Sequence, residues 1–140
     1  MGLWMTFVSV RVVEWGDCDA AGIVFYPNYF RWMDAAFHAM CRDLGFHQND
    51  LPGGLFATPL VDAGATFHAP AYPGEELRIE VGVVRLGVTS LSLTYGFNRD
   101  DALLVRGRED RVCVIREGDA IAKTCMPDTM RSLMERYHAR

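Results

Sequence analysis

One change of hydrophobic period divides this chain. Over residues 29–44, Phe30, Met33, Phe37, Met40, Cys41 and Leu44 fall within one arc at 100° per residue, so a single helix presents an apolar stripe to a core. Gly45 is its natural stop. Beyond the Pro/Gly-rich stretch 51–54 the period becomes two. Leu77, Ile79, Val81 and Val83 alternate with Glu76, Arg78 and Glu80, and Leu91, Leu93, Tyr95 and Phe97 alternate with Ser90, Ser92, Thr94 and Gly96. Strands are predicted over 7–13, 60–69, 75–86, 90–97, 103–116 and 120–126, with turns at 70–74, 99–101 and 117–119. A terminal helix opens at Pro127-Asp128 and shows Met130, Leu133, Met134 and Tyr137 on one face. One long helix followed by antiparallel strands in hairpin order is an α+β pattern, with a sheet that wraps the helix and takes in the first strand.

The bulk numbers narrow the function. A chain of 140 residues, half of them hydrophobic, builds one domain with a full core. Its 14 Lys and Arg against 18 Asp and Glu give a net charge of −4, with no basic stripe for nucleic acid. No apolar run approaches membrane-spanning length and the start lacks a signal-like pattern, so a cytoplasmic location is expected. Cys18, Cys41, Cys113 and Cys125 form no Cys-x-x-Cys pair, and His38, His47, His68 and His138 lack the spacing of metal ligands. Free buried thiols and no metal are expected.

The chemistry concentrates in Gly16-Asp17-Cys18-Asp19-Ala20-Ala21-Gly22-Ile23-Val24-Phe25-Tyr26-Pro27-Asn28-Tyr29. Two acids stand in a Gly-flanked turn between a strand end and a proline-started helix. A helix start exposes unpaired amides and the positive end of the helix dipole. The same short segment therefore supplies a base or nucleophile and donors for an oxyanion. Taken alone, Asp17 and Asp19 also suit ordinary turn and capping roles. An Asp-x-Asp pair suits Mg²⁺ with a nucleotide as well, but no phosphate-cradling glycine loop accompanies it.

That segment, continued through Arg31-Trp32-Met33-Asp34, resembles the hotdog-fold acyl-CoA thioesterases, most of all the 4-hydroxybenzoyl-CoA thioesterase type. The resemblance implies a curved antiparallel sheet around one long helix, homodimers that often pair into homotetramers, a site at the dimer interface, and no cofactor beyond the coenzyme A of the substrate. It implies that Asp19 is catalytic, that Asp17 is structural, and that the backbone N–H of Tyr26 polarises the thioester carbonyl. Phe25-Tyr26-Pro27-Asn28-Tyr29 lacks the histidine that some relatives carry here, which disfavours a histidine-assisted route.

The resemblance also implies that Asp34 receives the ring hydroxyl of an aryl-CoA. At the margin of an apolar helix face, such an acid suits a phenol and would be left unpaired by a plain fatty chain. Pairing with His38, one helical turn on, is an equal reading. Trp32, opposite the core stripe beside Ala35 and Ala39, is expected at a subunit contact. Arg85, Arg108, Lys123 and Arg131 are candidates for the CoA phosphates. An aliphatic or carrier-protein thioesterase and a non-catalytic acyl-CoA binding protein are the alternatives.

Overall fold

The computed structural model describes residues 5–46 and 54–139, so His47 and most of the predicted 51–54 loop lie outside the described residues. In chain order the elements are β1 (Phe7–Val12), α1 (Pro27–Asp43), β2 (Leu55–Ala57), β3 (Leu60–Phe67), β4 (Glu76–Leu86) and β5 (Ser90–Arg99). Then follow β6 (Ala102–Val112), β7 (Val114–Glu117), β8 (Ala120–Lys123) and α2 (Asp128–Met134), with short 3₁₀ turns at Trp15–Asp17 and Glu135–Tyr137. Five antiparallel strands form the main sheet in the order β1-β4-β5-β6-β3, and β2-β7-β8 form a smaller one.

Helix α1 starts on Pro27, whose missing N–H would have been unpaired there anyway. It ends as Gly45 foretells: at φ 80° this glycine turns the chain, and its N–H donates to Arg42 O while Phe46 N–H reaches back to Cys41 O. Phe46 then folds under the helix end and is buried. Met33, Phe37 and Met40 are wholly buried against Leu77, Ile79, Val81, Leu93 and Tyr95 of the sheet. Burying each such large side chain stabilises by about 1.5–3 kcal/mol. Gly107 on β6 makes room for the helix: Met33 Sδ fills the space that a Cβ there would need.

Three expectations need correction. The order is not hairpin throughout: β3 crosses to the far edge beside β6, and β4 inserts between β1 and β5. The 70–74 segment is therefore a crossover rather than a hairpin turn, which alternation alone could not disclose because both strands have the same period. The predicted strand 103–116 breaks at Cys113, whose N–H turns to Thr89 O, and β7 leaves for the smaller sheet. Trp32 is no surface residue. It is 4% exposed, edge-on to Tyr29 with centroids 5.5 Å apart and under the guanidinium of Arg11 at 5.1 Å, so β1 covers the helix face that projection left open. Cys41 and Cys113 are buried as expected, whereas Cys125 is exposed.

Candidate active site

Between β1 and α1 the chain makes a small hairpin. Cys18 bridges Val24, Asp19 N–H donates to Ile23 O at 2.9 Å, and Gly22 N–H returns to Asp19 O at 2.9 Å, with Gly22 at φ 77° where a side chain would be strained. Asp19 thus occupies the turn. Its Oδ1 accepts Ala21 N–H at 2.9 Å, a local bond that fixes the carboxylate while Oδ2 meets no partner among the described residues, and the residue is exposed in the single chain. Asp17 does different work. Its Oδ2 accepts Glu14 N–H at 2.9 Å, closing the 3₁₀ turn, and its carbonyl receives Phe25 N–H and Asn28 Nδ2.

These bonds tie the loop to the helix start. Asn28, which the sequence reading passed over, is buried and joins the first turn of α1 to Asp17 O at 2.8 Å. Among the described residues, Tyr26 N–H donates to no acceptor, while its carbonyl takes Tyr29 N–H. An unspent amide at the positive end of a seventeen-residue helix is a donor for developing negative charge. The Tyr26 ring is 60% exposed and stacks edge-on against Phe25 and Phe67. Behind it lies a cleft of about 330 Å³ lined by Ile23, Val24, Tyr29, Phe67, His68 and Pro70.

Asp34 faces elsewhere. It sits two turns along α1, about 12 Å from Tyr26 at 1.5 Å rise per residue, in a second cleft of about 470 Å³ with His38, Thr58, Leu60 and Arg111. Its Oδ1 accepts Arg111 Nη2 at 2.9 Å and lies 3.5 Å from His38 Nε2, so the predicted helical pair is present beside a stronger partner the sequence did not reveal. Burial lowers the pKa of His38; Asp34 opposes that shift and Arg111 reinforces it. Within one chain, Asp19 and Asp34 are not brought together.

The basic candidates separate. Arg85 donates to Ser90 Oγ at 3.1 Å and Ser92 Oγ at 3.3 Å, while Arg131 donates to Gly87 O, so both converge on one turn between β4 and β5. Arg108 lies across Gly64 and pairs with Asp62 at 2.6 Å. Lys123 is exposed on β8. Among the described residues no three His, Cys, Asp or Glu side chains cluster to hold a metal ion.

With this geometry in place, known proteins discriminate. The profile of the thioesterase-like superfamily matches residues 13–133, nearly the whole chain. The chain belongs to that superfamily. It is 32% identical over 123 residues to 4-hydroxybenzoyl-CoA thioesterase of Pseudomonas sp. (strain CBS-3), covering 82% of this chain and 87% of that protein. It is 30% identical over 125 residues to 1,4-dihydroxy-2-naphthoyl-CoA hydrolase of Prochlorococcus marinus, covering 77% and 81% respectively. A solved gentisyl-coenzyme A thioesterase superposes with TM-score 0.79 at 32% identity, over 91% of this chain and 98% of that one. A 4-hydroxybenzoyl CoA thioesterase mutant complexed with 4-hydroxybenzoyl CoA gives 0.83 at 28%, over 92% and 98%. The fold is the hotdog, and the thioesterase-like chain is a hydrolase of the acyl-CoA thioesterase kind. None of its described helices is long and apolar enough to cross a membrane.

Proposed function

We propose that this thioesterase hydrolyses a hydroxylated aryl-CoA, such as 4-hydroxybenzoyl-CoA, to the free acid and CoA. Asp19 supplies the carboxylate and Tyr26 N–H the oxyanion donor. The observation that carries this is the pairing of an open Asp19 Oδ2 with an unspent helix-start amide on one hydrogen-bonded loop. Hydrolysis adds water to the thioester carbonyl, breaks C–S and releases a thiolate, which then takes a proton. With a thiol pKa of about 8.5 the thiolate leaves readily, so one carboxylate and oxyanion donors suffice. Asp19 can act by attacking the carbonyl to give a mixed anhydride or by orienting the water; both use the same ionised group.

The aryl preference draws on two supports. The relatives at 30–32% identity act on 4-hydroxybenzoyl-CoA and 1,4-dihydroxy-2-naphthoyl-CoA, both ring-hydroxylated. In this chain, Asp34 lines a cleft whose walls also include Leu60, Val114 and Ile121. A homodimer completes the site in this reading. Strand β3 is a sheet edge carrying exposed Leu60, Val61 and Phe67, which pairing with a second copy would cover. Arg85 and Arg131, gathered at one turn, are the best placed of the basic candidates for CoA phosphates, ahead of Arg108, already tied to Asp62.

The test is thiol release from 4-hydroxybenzoyl-CoA, benzoyl-CoA and medium-chain acyl-CoAs. The expected order of kcat/KM is hydroxylated aryl, then plain aryl, then aliphatic. A clear preference for aliphatic chains would overturn the aryl assignment.

A further inference from the structure

Beneath Asp34 runs a buried polar chain that the hydrolytic step does not use. Arg111, on β6, is 2% exposed and places all three guanidinium nitrogens. Nη2 donates to Asp34 Oδ1 at 2.9 Å, Nη1 to Thr58 O at 3.0 Å, and Nε to Glu109 Oε1 at 3.0 Å. Its Cζ lies 4.2 Å from the centroid of the Phe37 ring, so the guanidinium also rests on an aromatic face. Glu109, 1% exposed, also receives the hydroxyl of Tyr95, and its Oε2 meets no partner among the described residues. A buried carboxylate is costly unless paired, so Glu109 commits Arg111 to one position. The far end of that guanidinium reaches a half-exposed group, the carboxylate of Asp34.

We propose that Arg111, anchored by Glu109, is a positioning residue for substrate selection: it occupies Asp34 Oδ1 and turns Oδ2 into the cleft as an acceptor for a ring hydroxyl. This rests on the reading of Asp34 given above and adds the device that makes it selective. A free aspartate on a helix samples several rotamers, and each hydrogen bond to a mobile acceptor costs the entropy of ordering it. Arg111 removes that cost before substrate arrives. Lysine cannot replace it, because one ammonium cannot span Glu109, Thr58 O and Asp34 together.

The readout is the hydroxyl preference, the ratio of kcat/KM for 4-hydroxybenzoyl-CoA to that for benzoyl-CoA, in full-length protein. Arg111→Lys keeps Glu109 paired, and the double variant Glu109→Gln/Arg111→Gln removes the buried charges together; thermal melting identifies the folded variants. A purely structural role would lower both rates in step and leave the ratio alone. Each folded variant is expected to lower the ratio about tenfold, the scale of one charge-assisted hydrogen bond. Asp34→Ala should do the same, and adding Arg111→Lys to it should change the ratio no further. If Asp34→Ala lowers the ratio but Arg111→Lys leaves it unchanged, the positioning role is overturned and the Asp34 reading stands. If Asp34→Ala leaves it unchanged, the underlying reading fails. A further drop in the combined variant would mean that Arg111 meets the substrate itself, which also overturns the proposal.

Discussion

Two acidic residues of this thioesterase are held in opposite ways. Asp19 is fixed by its neighbours: the bond to Ala21 N–H, the turn at Gly22 and the bridge from Cys18 to Val24 all lie within a few residues. Asp34 is fixed from a distance, by an arginine 77 positions away that is itself pinned by Glu109 and Thr58. A local loop places a carboxylate without burying any charge, so the group remains open to solvent and reactant. A long-range network needs a desolvated charge in the core, and that cost is met only when every partner is present. The first arrangement suits a reacting group, and the second suits a group that must stay still.

This contrast predicts different sensitivities. The largest loss of stability should come from Arg111→Met alone, which strands the Glu109 carboxylate. About 3–5 kcal/mol is expected in urea unfolding, and the double change with Glu109→Gln should recover most of it. Loss of less than about 1 kcal/mol for Arg111→Met would deny the network its structural weight. Gly107→Ala comes next, because Met33 must yield in a wholly buried position; about 1–3 kcal/mol is expected. For the loop, Asn28→Ala removes the tie from α1 to Asp17 O and should cost about 1 kcal/mol. Turnover should fall with it, and unchanged turnover would show that Tyr26 N–H needs no such bracing.

The smallest effect concerns pH. Because burial lowers the pKa of His38 below its ordinary value, the unfolded chain takes the proton first as pH falls. Stability from this residue is present above about pH 6.5 and declines as acid titrates the unfolded chain. Glu109 runs the other way: burial raises its carboxyl pKa, with Arg111 and Tyr95 opposing, so the folded chain holds that proton longer. His38→Gln should therefore flatten the melting temperature between pH 7 and 5.5 relative to the parent. A steeper slope would contradict the assignment.

The same division governs what the sequence made legible. Helix α1, its stop at Gly45 and the faces of β4 and β5 follow from period and local geometry, so they could be read residue by residue. The Asp19 loop could be read for the same reason, since its bonds are local. The Asp34–Arg111–Glu109–Tyr95 chain could not: in alternating strands Glu109 and Arg111 share the parity of Gly107 and Val105, and that inward parity was the one available signal. Charged residues at core positions were overlooked because each looks like an ordinary strand polar residue until its partner arrives from another element. Trp32 was misplaced on the same account, because a helical projection cannot show that β1 covers that face. The β3 crossover escaped because sheet order is a long-range property.

Whether the carboxylate of Asp19 performs the chemistry at the helix start is decided by Asp19→Asn, which keeps the turn bond to Ala21 but removes the charge. Thiol release from 4-hydroxybenzoyl-CoA should drop about 10²–10⁴-fold, while titration calorimetry shows the substrate still bound with similar affinity. Undiminished turnover in the folded variant would contradict the account.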